Sequence, residues 1–342
     1  MSGDYHDPAW LTQSIAERGI RGTARYCGVD HSTIITWRDK FAQEPEPSDS
    51  AQALLEYLKN RPIPTGKATR ATAKPGTKYA KELIGCDLHV PFHHDAAFEV
   101  FLGLCEKIQP NGVTLNGDTL DMPYISRFRQ NPLISNDMQA DIDEAVSYLA
   151  RINTAAPNAL KRMCVGNHDL ERFINYLFEK CPPLAKLRVL QSFDGILGLS
   201  DMGWELVKEG YWLNHERGVR VGHGTKVTNT QGGGSGGSAK KEMLSWNCAG
   251  VSGHTHKLGS FYRLDPSGYR VWHEGGCLCD QKKMRVARVT VHTDYDACED
   301  WHLGCVLATW NTEGDSYVLD DIPILENHGR TFCIYRDEEI VA

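Results

Sequence analysis

Five short polar stretches, each closing an apolar run, constrain this chain more than any other feature. They are Asp87-Leu88-His89, Gly117-Asp118-Thr119-Leu120-Asp121, Gly166-Asn167-His168-Asp169, Gly222-His223-Gly224 and Gly253-His254-Thr255-His256. The runs ahead of the first three, 83–86, 112–115 and 162–165, read as buried strands. Helix-period segments separate them, so the order is β-α-β-α-β and the sheet starts out largely parallel. In such sheets ligands collect beyond the carboxyl ends of the strands, where all five stretches fall. Asp, Asn and His side chains delivered to one edge by several strands are the donors of a metal site, and there are enough here for two ions.

A chain of 342 residues holds one large domain plus a small one, with ample core. A formal charge of −7 gives no global basic signal for nucleic acid, so any such surface is local. The eleven cysteines are odd in number and scattered. With no signal peptide and no apolar run near twenty residues, they read as reduced thiols of a cytosolic protein that has no membrane partner. Cys277-x-Cys279 is the only close pair in the sequence, and as half a zinc site it lacks a companion pair.

Residues 1–45 read as a small all-α domain of three helical stretches: 8–18, 20–27, and a third that Asp30 caps and that runs to Phe41. Ala24, Gly28, Ile34 and Trp37 have the spacing of a helix-turn-helix. The small Ala allows close approach, Gly permits the turn, and Ile and Trp fill the space between. The stretch resembles the helix-turn-helix of resolvase-like and phage DNA-binding proteins. That resemblance puts His31, Ser32, Ile35 and Thr36 on the outward face of the recognition helix, with Arg38 near a phosphate. The competing reading is a helical bundle used for assembly, and the balance of acidic and basic residues in the unit argues for weak DNA binding on its own. Residues 46–80 read as a basic flexible linker in which Lys59, Arg61, Lys67, Arg70, Lys74 and Lys78 stand out. It is either a solvated tether or an arm for nucleic acid.

The segment 81–342 reads as the catalytic domain. Helices are expected over 95–108, 138–152 and 170–180. Strands are expected over 219–221, 248–252, 260–263, 269–272, 305–310, 316–319 and 331–335, with a hairpin turn at 311–315. The order within 185–215 is not legible. The run Gly232 to Ser238 has the composition of a flexible linker, engineered or native, and it borders the site because it lies between two of the polar stretches.

Taken in order, the motifs D-x-H, G-D-x-x-D, G-N-H-D, G-H and G-H-T-H resemble those of the calcineurin-like metallophosphoesterase superfamily. The resemblance implies a four-layer α-β-β-α sandwich of two mixed sheets. It also implies two divalent metal ions, with Mn²⁺ expected and Fe or Zn²⁺ equally compatible with N/O donors. One ion would take Asp87, His89, Asp118 and His256; the other Asp118, Asn167, His223 and His254. Two ions about 4 Å apart lower the pKa of a bridging water enough to give hydroxide near neutral pH. His168 would then protonate the leaving alkoxide, with Asp121 orienting it. No organic cofactor is expected.

Protein phosphatases of that superfamily carry Arg directly after the second Asp of G-D-x-x-D, whereas Met122 and Pro123 follow here. That argues against a phosphoprotein substrate. Arg127, Arg129 and Arg172 lie just after site motifs and are the candidate substrate contacts. The layout as a whole looks like metallophosphoesterases of phages and prophages acting in the bacterial cytosol. The expected function is therefore a metal-dependent phosphodiesterase, a DNA nuclease first of all. A small-nucleotide phosphodiesterase or phosphatase is the enzymatic alternative, and a DNA-binding regulator with a vestigial metal site is the non-enzymatic one.

Overall fold

The computed structural model describes residues 6–43, 78–126, 131, 137–180, 182–187, 193–213, 218–224, 234–266, 268–287 and 300–342. The chain divides into two compact units, Met1–Arg61 and Pro62–Ala342.

In the first unit helix α1 spans Pro8–Cys27 but is broken at Gly19 (φ 69°, ψ 167°), so the two expected N-terminal helices run on from each other. Only glycine adopts that backbone without strain. Helix α2, His31–Gln43, follows a turn at Gly28 (φ 69°), and Asp30 caps it by accepting from the Ser32 amide at 2.8 Å. Leu11, Ala24 and Ile34 are buried at the centre, with Trp10, Ile15 and Trp37 packed around them. A buried hydroxyl pair, Ser14 with Thr23 at 3.2 Å, ties the two arms of α1 across the break. The linker expected at 46–80 lies almost wholly outside the described residues.

In the second unit strands β1 (Tyr79–Gly85), β2 (Gly112–Asn116), β3 (Leu160–Cys164) and β4 (Trp204–Val207) are parallel neighbours. Two short pieces, β5 (Tyr211–Trp212) and β6 (Val219–Val221), open a second sheet, which continues with β7 (Ala249–Ser252), β8 (Leu258–Asp265) and β9 (Gly268–Gly275) in the order β5-β6-β7-β9-β8. The chain returns to the first sheet with β10 (Gly304–Asn311) and β11 (Tyr317–Pro323), completing the order β11-β10-β1-β2-β3-β4. Both sheets are mixed, as expected.

Alternation along the strands separates the layers. On β1, Leu83 joins the core under the helices while Ile84 joins the core between the sheets. On β10, Cys305 and Leu307 face the helices while Val306 and Ala308 face the second sheet. Helix α3, Asp95–Ile108, covers the first sheet with Phe98, Phe101 and Leu104, joined by α4, Met138–Ala155. Each fully buried Phe contributes about 2–3 kcal/mol. Helix α5, Gly237–Trp246, covers the outer face of the second sheet by packing Ala239 and Met243 on Trp272 of β9, making the fourth layer.

The structure corrects three expectations. Residues 234–238 are not a free linker: Gly236 (φ 87°) caps α5, its amide donates to Glu274 Oε2 at 2.6 Å, and Gly237 and Ser238 form the first turn. Composition misled here because α5 is held by packing rather than by propensity. After Asn167 the chain forms a nine-residue π-helix, His168–Tyr176, before an α-helical turn at Leu177–Lys180, instead of one α-helix from 170. A three-stranded C-terminal sheet, β12 (Leu325–Asn327), β13 (Arg330–Tyr335) and β14 (Glu338–Val341), extends the single strand expected there and packs on α3. The illegible region contains β4 and β5.

Candidate metal centre

Every polar stretch lies just beyond the end of a strand: Asp87 and His89 after β1, Asp118 and Asp121 after β2, Asn167 and His168 after β3, His223 after β6, His254 and His256 after β7. The first two loops are zipped together. His89 N donates to Asp118 O at 2.8 Å, Val90 N to Thr119 O at 2.9 Å and Asp121 N to Val90 O at 2.9 Å. Asp87, His89, Asp118, His254 and His256 all have φ between 47° and 71°. Left-handed backbone at non-glycine residues is uncommon and clusters at functional sites, where the surroundings hold it in place.

Two donor groups of expected ligands result, and His89, Asp121 and His168 form a third cluster of the same kind. Ligand atoms of Asp87, His89 and His256 lie within 4.8 Å of one another, as do those of Asp118, His223 and His254. Asn167 Oδ1 joins the second group, 2.8 Å from His254 Nδ1 and 3.1 Å from His223 Nε2. Asp118 Oδ2 connects the two, 3.2 Å from His223 Nε2 and 3.8 Å from His89 Nε2. All seven of these residues therefore lie close together, Asp87, His89 and His256 in one group and Asp118, Asn167, His223 and His254 in the other.

The donor chemistry fits divalent cations. His223 Nδ1 faces the Asn116 carbonyl at 3.0 Å and so holds the ring proton. In the neutral ring Nε2 is then a lone pair directed at Asp118 Oδ2 and Asn167 Oδ1, which also only accept. Either a second proton or a cation must stand there. Bonds of about 2.0–2.2 Å from one ion place neighbouring ligand atoms roughly 3 Å apart, which matches the 3.1 Å between His89 Nε2 and His256 Nε2.

Without cations the site is a set of coupled charges. Burial pushes the Asp118 carboxyl up, but His223 and His168 outweigh it and hold it well below the carboxylate range. Asp121 behaves likewise, with His168 and His89 overcoming burial. Burial lowers His223, yet Asp118 and Asp87 push it up to about 10. Burial and the neighbouring His168 push His89 down to about 4. The raised His223 value sets a pH dependence. Its contribution to folding is fully present below its unfolded value near 6.5 and is lost as pH rises through about 10. The cation-free protein is therefore expected to lose melting temperature between those limits. Over the same window Mn²⁺ binding should release the His223 proton, read by calorimetry in buffers of different ionisation enthalpy.

Two glycines make room for the ligands. A Cβ on Gly166 would lie 2.0 Å from Asp118 Oδ1 and 2.3 Å from the Asp118 amide, and one on Gly117 (φ 85°) would lie 2.2 Å from His223 Nδ1. Gly166→Ala should displace the Asp118 carboxylate. We expect retained cations to fall below the wild-type number by elemental analysis, and stability to fall by about 1–3 kcal/mol from overpacking.

His168 stands beside the ligands. Its amide donates to Asp118 Oδ1 at 2.8 Å, and its Nδ1 is 3.1 Å from Asp121 Oδ2 without an aligned hydrogen bond. Asp121 Oδ2 also takes His89 Nδ1 at 3.0 Å, so this carboxylate orients an expected ligand as well as His168. Arg172, one π-helical turn beyond His168, turns inward: Nη1 donates to Asp121 Oδ1 at 2.8 Å and Nη2 lies 3.2 Å from His168 Nε2. Arg127 and Arg129 lie outside the described residues.

Three further residues that the motifs did not single out touch the site residues. Asp169 accepts the Gly166 and Leu120 amides at 2.9 and 3.3 Å, and burial together with Asp118 pushes it up to about 7. It fixes the loop that presents Asn167, and its place in the G-N-H-D stretch was the available signal. The Asn116 carbonyl sets the His223 tautomer; nothing in a sequence marks a backbone oxygen. Cys279 Sγ lies 3.8 Å from His256 Nδ1.

In the first unit His31, Ser32, Thr36 and Arg38 are exposed and Ile35 is half-buried. Ser32 Oγ donates to Asp30 at 2.6 Å and Thr36 Oγ1 to Ser32 O at 2.9 Å, so both hydroxyls also serve the helix itself.

No family profile matches the sequence, and no curated protein matches it. Among solved structures, vacuolar protein sorting 29 of Cryptosporidium parvum overlaps with a TM-score of 0.38 at 15% identity, over 78% of this chain and 97% of that one. A single mutant of Vps29 from Entamoeba histolytica gives 0.36 at 14%, over 77% and 99%. YfcE, a phosphoesterase from E. coli, gives 0.33 at 13%, over 70% and 97%. Overlaps of this size assign nothing by themselves. No helix among the described residues is long and apolar enough to cross a membrane.

Proposed function

We propose that the chain is a metal-dependent phosphoesterase acting on phosphodiesters, with DNA as its substrate. The observation that carries the enzymatic reading is the position of Asp118 Oδ2, which lies 3.2, 3.8 and 4.0 Å from ring nitrogens of His223, His89 and His168. One carboxylate oxygen thus adjoins both donor groups and the imidazole that binds neither. Asp87, His89, His256 and Asp118 would hold one divalent cation and Asp118, Asn167, His223 and His254 a second, which when bound would supply water activation and neutralise phosphate charge.

The chain's own residues do the remainder. His168 presents Nε2 to the departing oxygen, and Asp121 supports the ring when it carries a proton. Arg172 occupies that nitrogen in the structure, so its guanidinium exchanges His168 for a phosphate oxygen as substrate arrives. That exchange clears Nε2 for the leaving group.

The DNA reading is supported by the three-helix unit with its exposed α2 residues and by the cation-rich 57–82 stretch. Phage origin and Mn²⁺ as the native metal belong to the same proposal. The test offers Mn²⁺-loaded protein linear DNA, single-stranded DNA, cyclic nucleotides and p-nitrophenyl esters. Removing residues 1–77, which leaves β1 whole, is expected to impair DNA cleavage at least about tenfold more than hydrolysis of bis(p-nitrophenyl) phosphate. Equal losses on both would leave the small-nucleotide reading, and no turnover of any ester would leave the regulator.

A further inference from the structure

We propose that Cys277, Cys279 and the Nδ1 atom of His256 form a third cation site, suited to a thiophilic divalent ion such as Zn²⁺, with the His256 ring shared between it and the carboxylate–imidazole cluster.

The local backbone builds the site. After β9 the chain turns at Gly276 (φ 70°), and Cys277 N, Leu278 N and Asp280 N then donate to His302 O, Cys86 O and Phe92 O at 3.0, 2.9 and 2.7 Å. The segment is therefore extended and held on both sides. With side chains alternating, Leu278 enters the core under the helices while Cys277 and Cys279 share the other side. Both thiols and a ring nitrogen of His256 lie within 4.8 Å of one another, and all three residues are buried.

A tetrahedral ion with bonds of about 2.3 Å to sulfur and 2.0 Å to nitrogen separates a sulfur from a nitrogen ligand by roughly 3.5 Å. The observed separation of Cys279 Sγ from His256 Nδ1 is 3.8 Å. A cavity of about 140 Å³, walled by Cys277, Cys279, Asp280 and Trp301, lies on the thiol side and has space for a water as fourth ligand. His256 Nε2 meanwhile points to Asp87 Oδ1 at 3.4 Å. One imidazole thus has an oxygen-rich environment on one nitrogen and a sulfur-rich one on the other. Thiolate selects soft ions where carboxylate and amide oxygens select hard ones, so the two sides sort different metals.

The site goes beyond phosphoester hydrolysis, and its test reads metal rather than turnover. Chelator-stripped full-length protein is equilibrated with Cd²⁺ and desalted, then read by elemental analysis and by the ultraviolet thiolate-to-cadmium charge-transfer band. The wild type is expected to keep three equivalents and show the band; the Cys277→Ser/Cys279→Ser variant should keep two and lose it. Absence of the band in the wild type, or its persistence in the double variant, overturns the site and leaves Cys279 as a hydrogen-bond partner of His256 and Cys277 as a donor to the His302 carbonyl. Should the double variant not fold, X-ray absorption of the Zn²⁺-loaded wild type decides, since a metal with no directly bound sulfur overturns the site equally. Asp118→Asn, expected to keep the band while losing one or both of the other equivalents, separates this site from the dinuclear reading.

Discussion

Asp118→Asn is expected to slow Mn²⁺-dependent hydrolysis of bis(p-nitrophenyl) phosphate by roughly 10³-fold or more, the upper range for losing one preorganised electrostatic contact. The shape of the side chain is kept, so the Oδ1 contact with the His168 amide can persist. What goes is the negative charge that both donor groups share. Retained Mn²⁺ should drop from two equivalents to one or none by elemental analysis. His223, pushed up to about 10 chiefly by Asp118 and Asp87 against burial, should titrate lower in the variant, read by its ring proton shifts. Full activity with two retained ions would remove the shared carboxylate from the mechanism.

His168→Ala should act differently. Turnover is expected to fall by about 10²–10⁴-fold, the usual contribution of a positioned general acid, while both cations stay bound. The distinction follows from geometry: His168 Nε2 is 4.0 Å from Asp118 Oδ2, its polar side-chain partners are Asp121 and Arg172, neither of which is an expected ligand, and it meets the expected ligand His89 only edge to face, with ring centroids 4.6 Å apart. A second readout is the leaving group. Esters of acidic phenols, which depart without a proton, should lose less than alkyl diesters. Loss of metal in this variant would show that His168 is itself a ligand.

The site was more legible than the fold around it. Asp, Asn and His at strand ends are recognisable because the apolar runs before them are short, dense and bounded by glycine. Helix α3 was equally plain, with Phe98, Phe101, Leu102 and Cys105 on one stripe. The edge of the first sheet at β4 was not legible, since four residues with one buried position give no period. Helix α5 was hidden by its glycines, and the π-helix after Asn167 was hidden because π and α periods are indistinguishable over nine residues.

The sequence by itself determined which side chains stand at strand ends, and therefore which donors were available for metal. It also marked the glycines beside them, Gly117 and Gly166. Only the tertiary structure decided how those donors divide and what stands behind them. Asp118 adjoins two groups because β2 lies between β1 and β3 while β6 and β7 approach from the other sheet. Asp121 serves both His89 and His168, and Cys279 meets His256 across a gap of 23 residues. Such pairings depend on which loops a twisted two-sheet core brings into contact. Local preference cannot encode them, because the contacts come from packing between segments far apart in the chain.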